Sequence, residues 1–196
     1  ILIEDGEWNE FVNVLTDLNK GNGLTLKGSS GPINLRGFRF VDFWSGSNKG
    51  HGIYTNAYVE DIVITSGMLR DNVKDAIVLN GEYITISNIA IDVPDKSHCG
   101  VTIDGKHNQI ASCTFKNGEY GLRELGNADY NIVMGTIFRY YNKGALKIVG
   151  KNTISSNNIF QDCSQKHQDE KRLVIVIGVI IAIIAVIIAV YGLQIQ

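Results

Sequence analysis

The sequence predicts an all-β chain, a right-handed parallel β-helix of about six rungs with an N-terminal capping α-helix and one C-terminal transmembrane α-helix. Three observations carry this. An apolar alternation led by Gly or Ala recurs along the chain, a second apolar position follows each copy at a near-constant step, and the last residues form an uncharged apolar run. Composition agrees, since glycine is abundant at 21 and proline scarce at 2, which suits short strands joined by tight turns.

Residues 1–22 are expected to hold a strand and an amphipathic capping helix. Trp8, Phe11, Val12, Leu15 and Leu18 fall at helical spacing, Asp5 can cap the start and Gly21 follows the end. Such a cap would cover the first rung, which otherwise exposes apolar side chains and a strand edge.

Residues 23–160 are the expected β-helix. Its repeat reads GLTLKG at Gly23, GIYTNA at Gly52, AIVLNG at Ala76, GVTIDG at Gly100, GLRELG at Gly121 and ALKIVG at Ala145. Second-strand anchors follow at Leu35, Ile64, Ile86, Ile110, Ile132 and Ile154, in steps of 29, 22, 24, 22 and 22. Five residues after each comes Phe40, Leu69, Ile91, Phe115, Ile137 or Ile159. Alternate side chains of a strand share a face, so a coil of this length sets equivalent positions above one another. Leu24, Ile53, Ile77, Val101, Leu122 and Leu146 would form one interior column, and the two later series two more. A β-sandwich also uses short strands and glycine turns, but it does not explain in-phase apolar columns.

A polar linker, 161–172, then leads to the expected membrane span, 173–195. Leu173 to Tyr191 carries no charge, and as a helix it reaches about 29 Å, the thickness of a bilayer core. Gly178, Ala182, Ala185 and Ala189 recur in steps of 4, 3 and 4 and form a candidate oligomerisation stripe. Lys166, Lys171 and Arg172 precede the span and no basic residue follows it, which places the β-helix on the cytoplasmic-equivalent side, with an extracellular anchor as the alternative. A virion membrane exterior fits that side. The chain starts at Ile1 and shows no signal peptide.

Dispersed Lys and Arg and a formal net charge of -2 exclude a nucleic-acid footprint. Cys99, Cys113 and Cys163 show no metal-ligand spacing and are expected as free thiols. Asp71, Asp75, Asp92 and Asp95 fall in successive turns, but Lys74 and Lys96 lie among them, so neither a metal nor a cofactor is expected. Trp44, Tyr54, Tyr58, Tyr83 and Tyr130 are candidate carbohydrate or partner contacts, within a set of turn aromatics that includes Tyr140 and Tyr141.

From Gly23 to Phe160 the repeat resembles the pectin-lyase-like superfamily, which includes pectate lyases, polygalacturonases, NosD-type repeat proteins and phage tailspikes. Gly50, His51 and Gly52 match the short GHG element of polygalacturonases. The aspartate pair and the Arg-Ile-Lys element that accompany it there are absent, so no catalytic residue is expected. The resulting expectation is a membrane-anchored, self-assembling structural protein without a catalytic site, such as a virion coat, spike, vertex or surface-layer component. Its partners would be the lipid bilayer through Leu173 to Ile195 and further copies or a larger protein assembly. A carbohydrate- or receptor-binding module is the alternative, which requires an exposed aromatic row. A polysaccharide lyase or hydrolase is the second, which requires two or more carboxylates converging near His51 or an arginine.

Overall fold

The computed structural model of the protein describes residues 1–30 and 35–163. Strands Leu2–Glu4, Leu24–Lys27, Ile53–Thr55, Ile77–Leu79, Val101–Ile103, Tyr120–Glu124 and Gly144–Lys147 form one parallel seven-stranded sheet in chain order. Long strands Arg39–Gly46, Val63–Arg70 and Thr85–Asp92 anchor a second sheet, which shorter strands continue as two parallel columns on either side. One column runs from Glu10–Val12 to Ile154–Ser156, the other from Leu15–Asp17 to Ile159–Gln161. A short pair, Leu35–Arg36 with Val59–Glu60, completes the lower rungs. The chain is a parallel β-helix.

The first interior column is the expected one. Leu24, Ile53, Ile77, Val101, Leu122 and Leu146 pair in succession, and the first five are fully buried. Each such side chain contributes about 1.5–3 kcal/mol by leaving water. The other two series hold in the middle and slip at the ends. Phe40, Ile64, Ile86 and Ile110 form one column, and Leu69, Ile91 and Phe115 form another. Ile110 pairs with Val133, not Ile132, and Phe115 with Phe138, not Ile137. The asparagines set this phase: the Asn108 amide N–H donates to Asn131 Oδ1 at 2.9 Å, which makes that step 23 residues instead of 22. The same one-residue slip carries upward, so Ile154 and Ile159 face out at 56% and 51% exposure. Leu35 leaves the column as well, because it pairs with Val59 in the short sheet and Phe40 takes its place over Phe11.

The N-terminal capping helix is corrected to a further rung. Residues of the 1–22 segment form strands Leu2–Glu4, Glu10–Val12 and Leu15–Asp17, each paired to the rung above. Phe11 stacks on Phe40 at 5.1 Å, while Trp8, Val12, Leu15 and Leu18 are exposed. Left-handed bends at Trp8, Asn13 and Leu18, with φ of 53, 56 and 55°, cut the segment into strands of three residues. Bends at that interval give apolar positions the 3–4 spacing of a helix without its hydrogen bonds. Asp5 does not cap a helix; its carboxylate accepts from the Ser29 amide at 2.8 Å.

The same bend recurs up the helix. Asn13, Asp42, Ser66, Asn88, Ser112, Gly135 and Asn157 occupy one corner with φ of 54 to 58°. Asn and Asp tolerate this region best among residues with a side chain. Inside the corners, side chains satisfy the backbone. Asn48 and Asn72 are buried and linked at 2.9 Å. Glu124, 1% exposed, accepts from Asn131 Nδ2 and the Thr153 hydroxyl on one oxygen and from the Val149 and Gly150 amides on the other.

No helix among the described residues is long and apolar enough to cross a membrane. The expected span at 173–195 lies outside those residues, as does linker segment 164–172.

The register has a direct test. Ile110→Ala should cost about 2–5 kcal/mol in chemical denaturation, as cavities in packed cores do, whereas Ile132→Ala should cost less than half as much. Equal losses would contradict the pairing of Ile110 with Val133.

Candidate functional site

The outward-facing residues of the seven-stranded sheet also lie in register: Thr25, Tyr54, Val78, Thr102, Arg123 and Lys147 follow one another rung by rung. Bends just before these strands bring a second row alongside. His51, Asp75, His98, Glu119 and Lys143 each stand one or two residues ahead of the Gly or Ala that opens a strand. Backbone bonds tie this row together, with Glu119 N–H donating to His98 O at 2.7 Å and Lys143 N–H to Glu119 O at 3.1 Å.

Asp75 is the hub. Its Oδ1 accepts from the Cys99 amide at 2.8 Å and its Oδ2 from the Thr102 hydroxyl at 2.6 Å. His98 Nδ1 lies 3.6 Å from Oδ1 and Arg123 Nη2 3.5 Å from Oδ2. Arg123 Nη1 reaches Glu119 at 3.4 Å, and Glu119 also pairs with Lys143. Two carboxylates thus converge on one guanidinium. These Arg123 contacts exceed the 2.7–2.9 Å of a tight charge-assisted bond, and its buried Nε has no partner. Nη2 also donates to the Thr102 hydroxyl at 3.4 Å, and the side chain keeps 28% of its surface open to solvent.

Below it, His51 Nδ1 lies 3.1 Å from the Asp75 carbonyl oxygen. A carbonyl only accepts, so Nδ1 carries the proton and Nε2 is left as a base. Burial holds the His51 pKa below the ordinary histidine value of 6.5, so the ring is neutral at pH 7. Tyr54 stacks beside it at 6.0 Å. At the upper end the Lys147 ammonium lies 6.0 Å from the Tyr120 ring centre, within cation–π range.

The aromatics predicted as contacts divide. Tyr83 and Tyr130 come together on the corner at the far end of the same strands, with His107 between them at 4.9 and 5.1 Å and interplanar angles of 4 and 13°. Tyr54 joins the strip just described. Trp44 lies under the Arg70 guanidinium at 5.5 Å. Tyr58 is exposed at another bend, where its amide donates to Asn56 Oδ1. Gly178, Ala182, Ala185 and Ala189 lie outside the described residues.

The four turn aspartates do not gather as a set, although Asp75 and Asp95 flank His98 at 3.6 and 4.0 Å. Asp75 is in the strip, Asp95 accepts from Ser97, Asp92 pairs with Lys116 at 2.8 Å, and Asp71 lies 3.8 Å from Arg70. Among the described residues no group of three His, Cys, Asp or Glu could hold a metal ion. A concavity of about 400 Å³ lies between Lys106, Asp129 and Lys151; there Asp129 is occupied by the Asn152 and Tyr130 amides. Sequence reasoning missed Arg123, Glu119 and His98. Their signal is positional: polar side chains recur just ahead of each strand-opening Gly or Ala, as in KDA at Lys74, HCG at His98 and EYG at Glu119.

No family model and no curated protein sequence matches this chain. Among solved structures, the A-module of mannuronan C-5 epimerase AlgE6 from Azotobacter vinelandii is similar, with a TM-score of 0.57 and 17% identity over 80% of this chain. The match covers 54% of that module, so this chain spans about half its length. At that identity the likeness is one of fold, and it agrees with a parallel β-helix.

Beside the strip, burial and the Asp75 carboxylate push the Cys99 thiol to about 11, and burial pushes Cys113 to about 11. At pH 8 about one in a thousand of either is thiolate, the reactive form. Iodoacetamide applied to the native protein at pH 8 should therefore leave both unlabelled by peptide mass mapping and label them only after unfolding.

Proposed function

We propose that the outer face of the seven-stranded sheet binds an acidic polysaccharide lying along the rungs from His51 to Lys147. The observation that carries this reading is the convergence of Asp75 and Glu119 on Arg123, with His98 beside them. Arg123 would offer its remaining N–H groups to a sugar carboxylate, since a guanidinium matches that planar acceptor. Lys147 would add a second cation, and Tyr54 and Tyr120 aromatic surface. Five rungs give a track of about 19 Å between the first and last strands, long enough for several sugar residues. The similar A-module is named for action on mannuronan, and that chemistry agrees with a track of this kind.

Binding is the reading, not turnover. Both oxygens of Asp75 are engaged, by Cys99 and Thr102, and Glu119 is engaged by Lys143, so neither is a free general acid. The Nε2 of neutral His51 is the group on which a lyase or epimerase reading would rest. Proton NMR of mannuronan incubated with the protein checks this; a changed polymer would replace the binding reading with an enzymatic one.

In affinity electrophoresis, mannuronan in the gel should retard the protein while dextran does not. Arg123→Ala should weaken retention at least tenfold and Arg123→Lys less. A wild-type protein that migrates unretarded, or an Arg123→Ala variant as retarded as wild type, refutes the reading.

The second reading is the membrane-anchored, self-assembling structural protein, a coat or surface-layer component. The uncharged run from Leu173 to Tyr191 supports it, as do the exposed apolar Ile154, Ile159 and Phe160 of the last rung. Ile154→Glu with Phe160→Glu should then reduce the sedimentation coefficient of the detergent-solubilised chain to that of a single copy. An unchanged coefficient excludes assembly through that rung.

A further inference from the structure

The corner beyond the seven-stranded sheet holds a second feature. Backbone pairing aligns Glu7, Arg36, Glu60 and Glu82, then Lys106 and Asp129, and the residues that follow them form a column: Trp8, Gly37, Asp61, Tyr83, His107 and Tyr130. All six have positive φ, from 52 to 69°. In the upper half the rings stack face to face and cover one another. Below Tyr83 the column changes character.

Gly37 has no side chain, and the Trp8 indole fills its place: a Cβ on Gly37 would lie 2.5 Å from Trp8 Cε3. The indole therefore covers the Gly37 position, with Trp8 70% exposed. Two strand spacings above, Tyr83 uses one face of its ring on His107 and turns the other down the column. Asp61 stands between, exposed, and its carboxylate makes no hydrogen bond or ion pair among the described residues. Two spacings amount to about 9.6 Å. A ring held between two aromatic faces at carbon contact distance needs about 8 Å.

We propose that Trp8, Asp61 and Tyr83 form a slot for one pyranose ring of a gluco-configured glycan. Such a ring carries its hydroxyls equatorially and its axial C–H bonds on both faces. The faces meet the indole and the phenol, and the equatorial hydroxyls donate to the Asp61 carboxylate at the back of the slot. A manno-configured ring directs its axial hydroxyl at one of the aromatic faces and fits less well. The site lies at the opposite end of the strands from the Arg123 strip and uses none of its residues, so the two stand or fall separately.

The chain has two tryptophans, and in Trp44→Phe protein Trp8 is the sole indole. Titration with neutral cellohexaose should shift its emission to the blue and saturate, and mannohexaose should bind at least tenfold more weakly. Tyr83→Ala should lose at least tenfold in affinity for cellohexaose, Tyr83→Phe should keep it, and Asp61→Ala should lose about threefold, while Tyr140→Ala on another bend changes nothing. Saturation-transfer NMR of cellohexaose with wild-type and Tyr83→Ala protein gives the same comparison without the tryptophan substitution. No spectral response to cellohexaose, equal affinity for mannohexaose, or full binding by Tyr83→Ala overturns the proposal.

Discussion

Parallel hydrogen bonding between successive coils, in register, is the constraint on which the rest of this molecule depends. Once Ile77 is paired with Ile53 below and Val101 above, every neighbouring residue is assigned a level and a direction. Side chains two apart point the same way, so a register that turns Leu24, Ile53 and Ile77 into the core must turn Thr25, Tyr54 and Val78 to the other face of the sheet, where Thr25 and Tyr54 are half-buried and Val78 is covered by its neighbours. The interior and the outer strip are two results of one pairing. A shift of one residue would exchange them.

That dependence explains what could be read in advance. The column from Leu24 to Leu146 was legible because glycine or alanine opens every copy and one apolar residue then has one plausible level. The later columns were legible only where one large apolar residue stood alone, as at Ile86 and Ile110. At Ile132–Val133 and Ile137–Phe138 two apolar neighbours compete, and the Asn108–Asn131 bond, not hydrophobicity, chooses between them. The first rung departs from the expected helix because bends five residues apart, at Trp8, Asn13 and Leu18, leave Trp8, Phe11, Val12, Leu15 and Leu18 at the spacings of a helical face.

The candidate site was less legible than the fold. Its members lie on five rungs, each rung more than 20 residues from the next in sequence, and among the carboxylates and the guanidinium only Glu119 and Arg123 are close along the chain. His51 drew notice for the glycines around it, yet its main partner is a backbone carbonyl. Arg123 drew none, although it sits one position after Leu122 in a column already recognised. Outward positions adjacent to a known interior column are where such groups should be sought in a solenoid, since the stacking that builds the core also aligns them.

Glu124 has a consequence for how this structure comes apart. A stack of coils frays from its ends, one level at a time, because each is held chiefly by its neighbour. Glu124 links its own rung to Val149, Gly150 and Thr153 in the following coil and to Asn131 between them. Peeling the upper coil away would take three of the four donors from this carboxylate and leave it with Asn131 alone, a cost of several kcal/mol. The terminal coils are latched: they detach as a block or not at all, and opening from this end is cooperative where a uniform ladder of apolar side chains would unzip gradually.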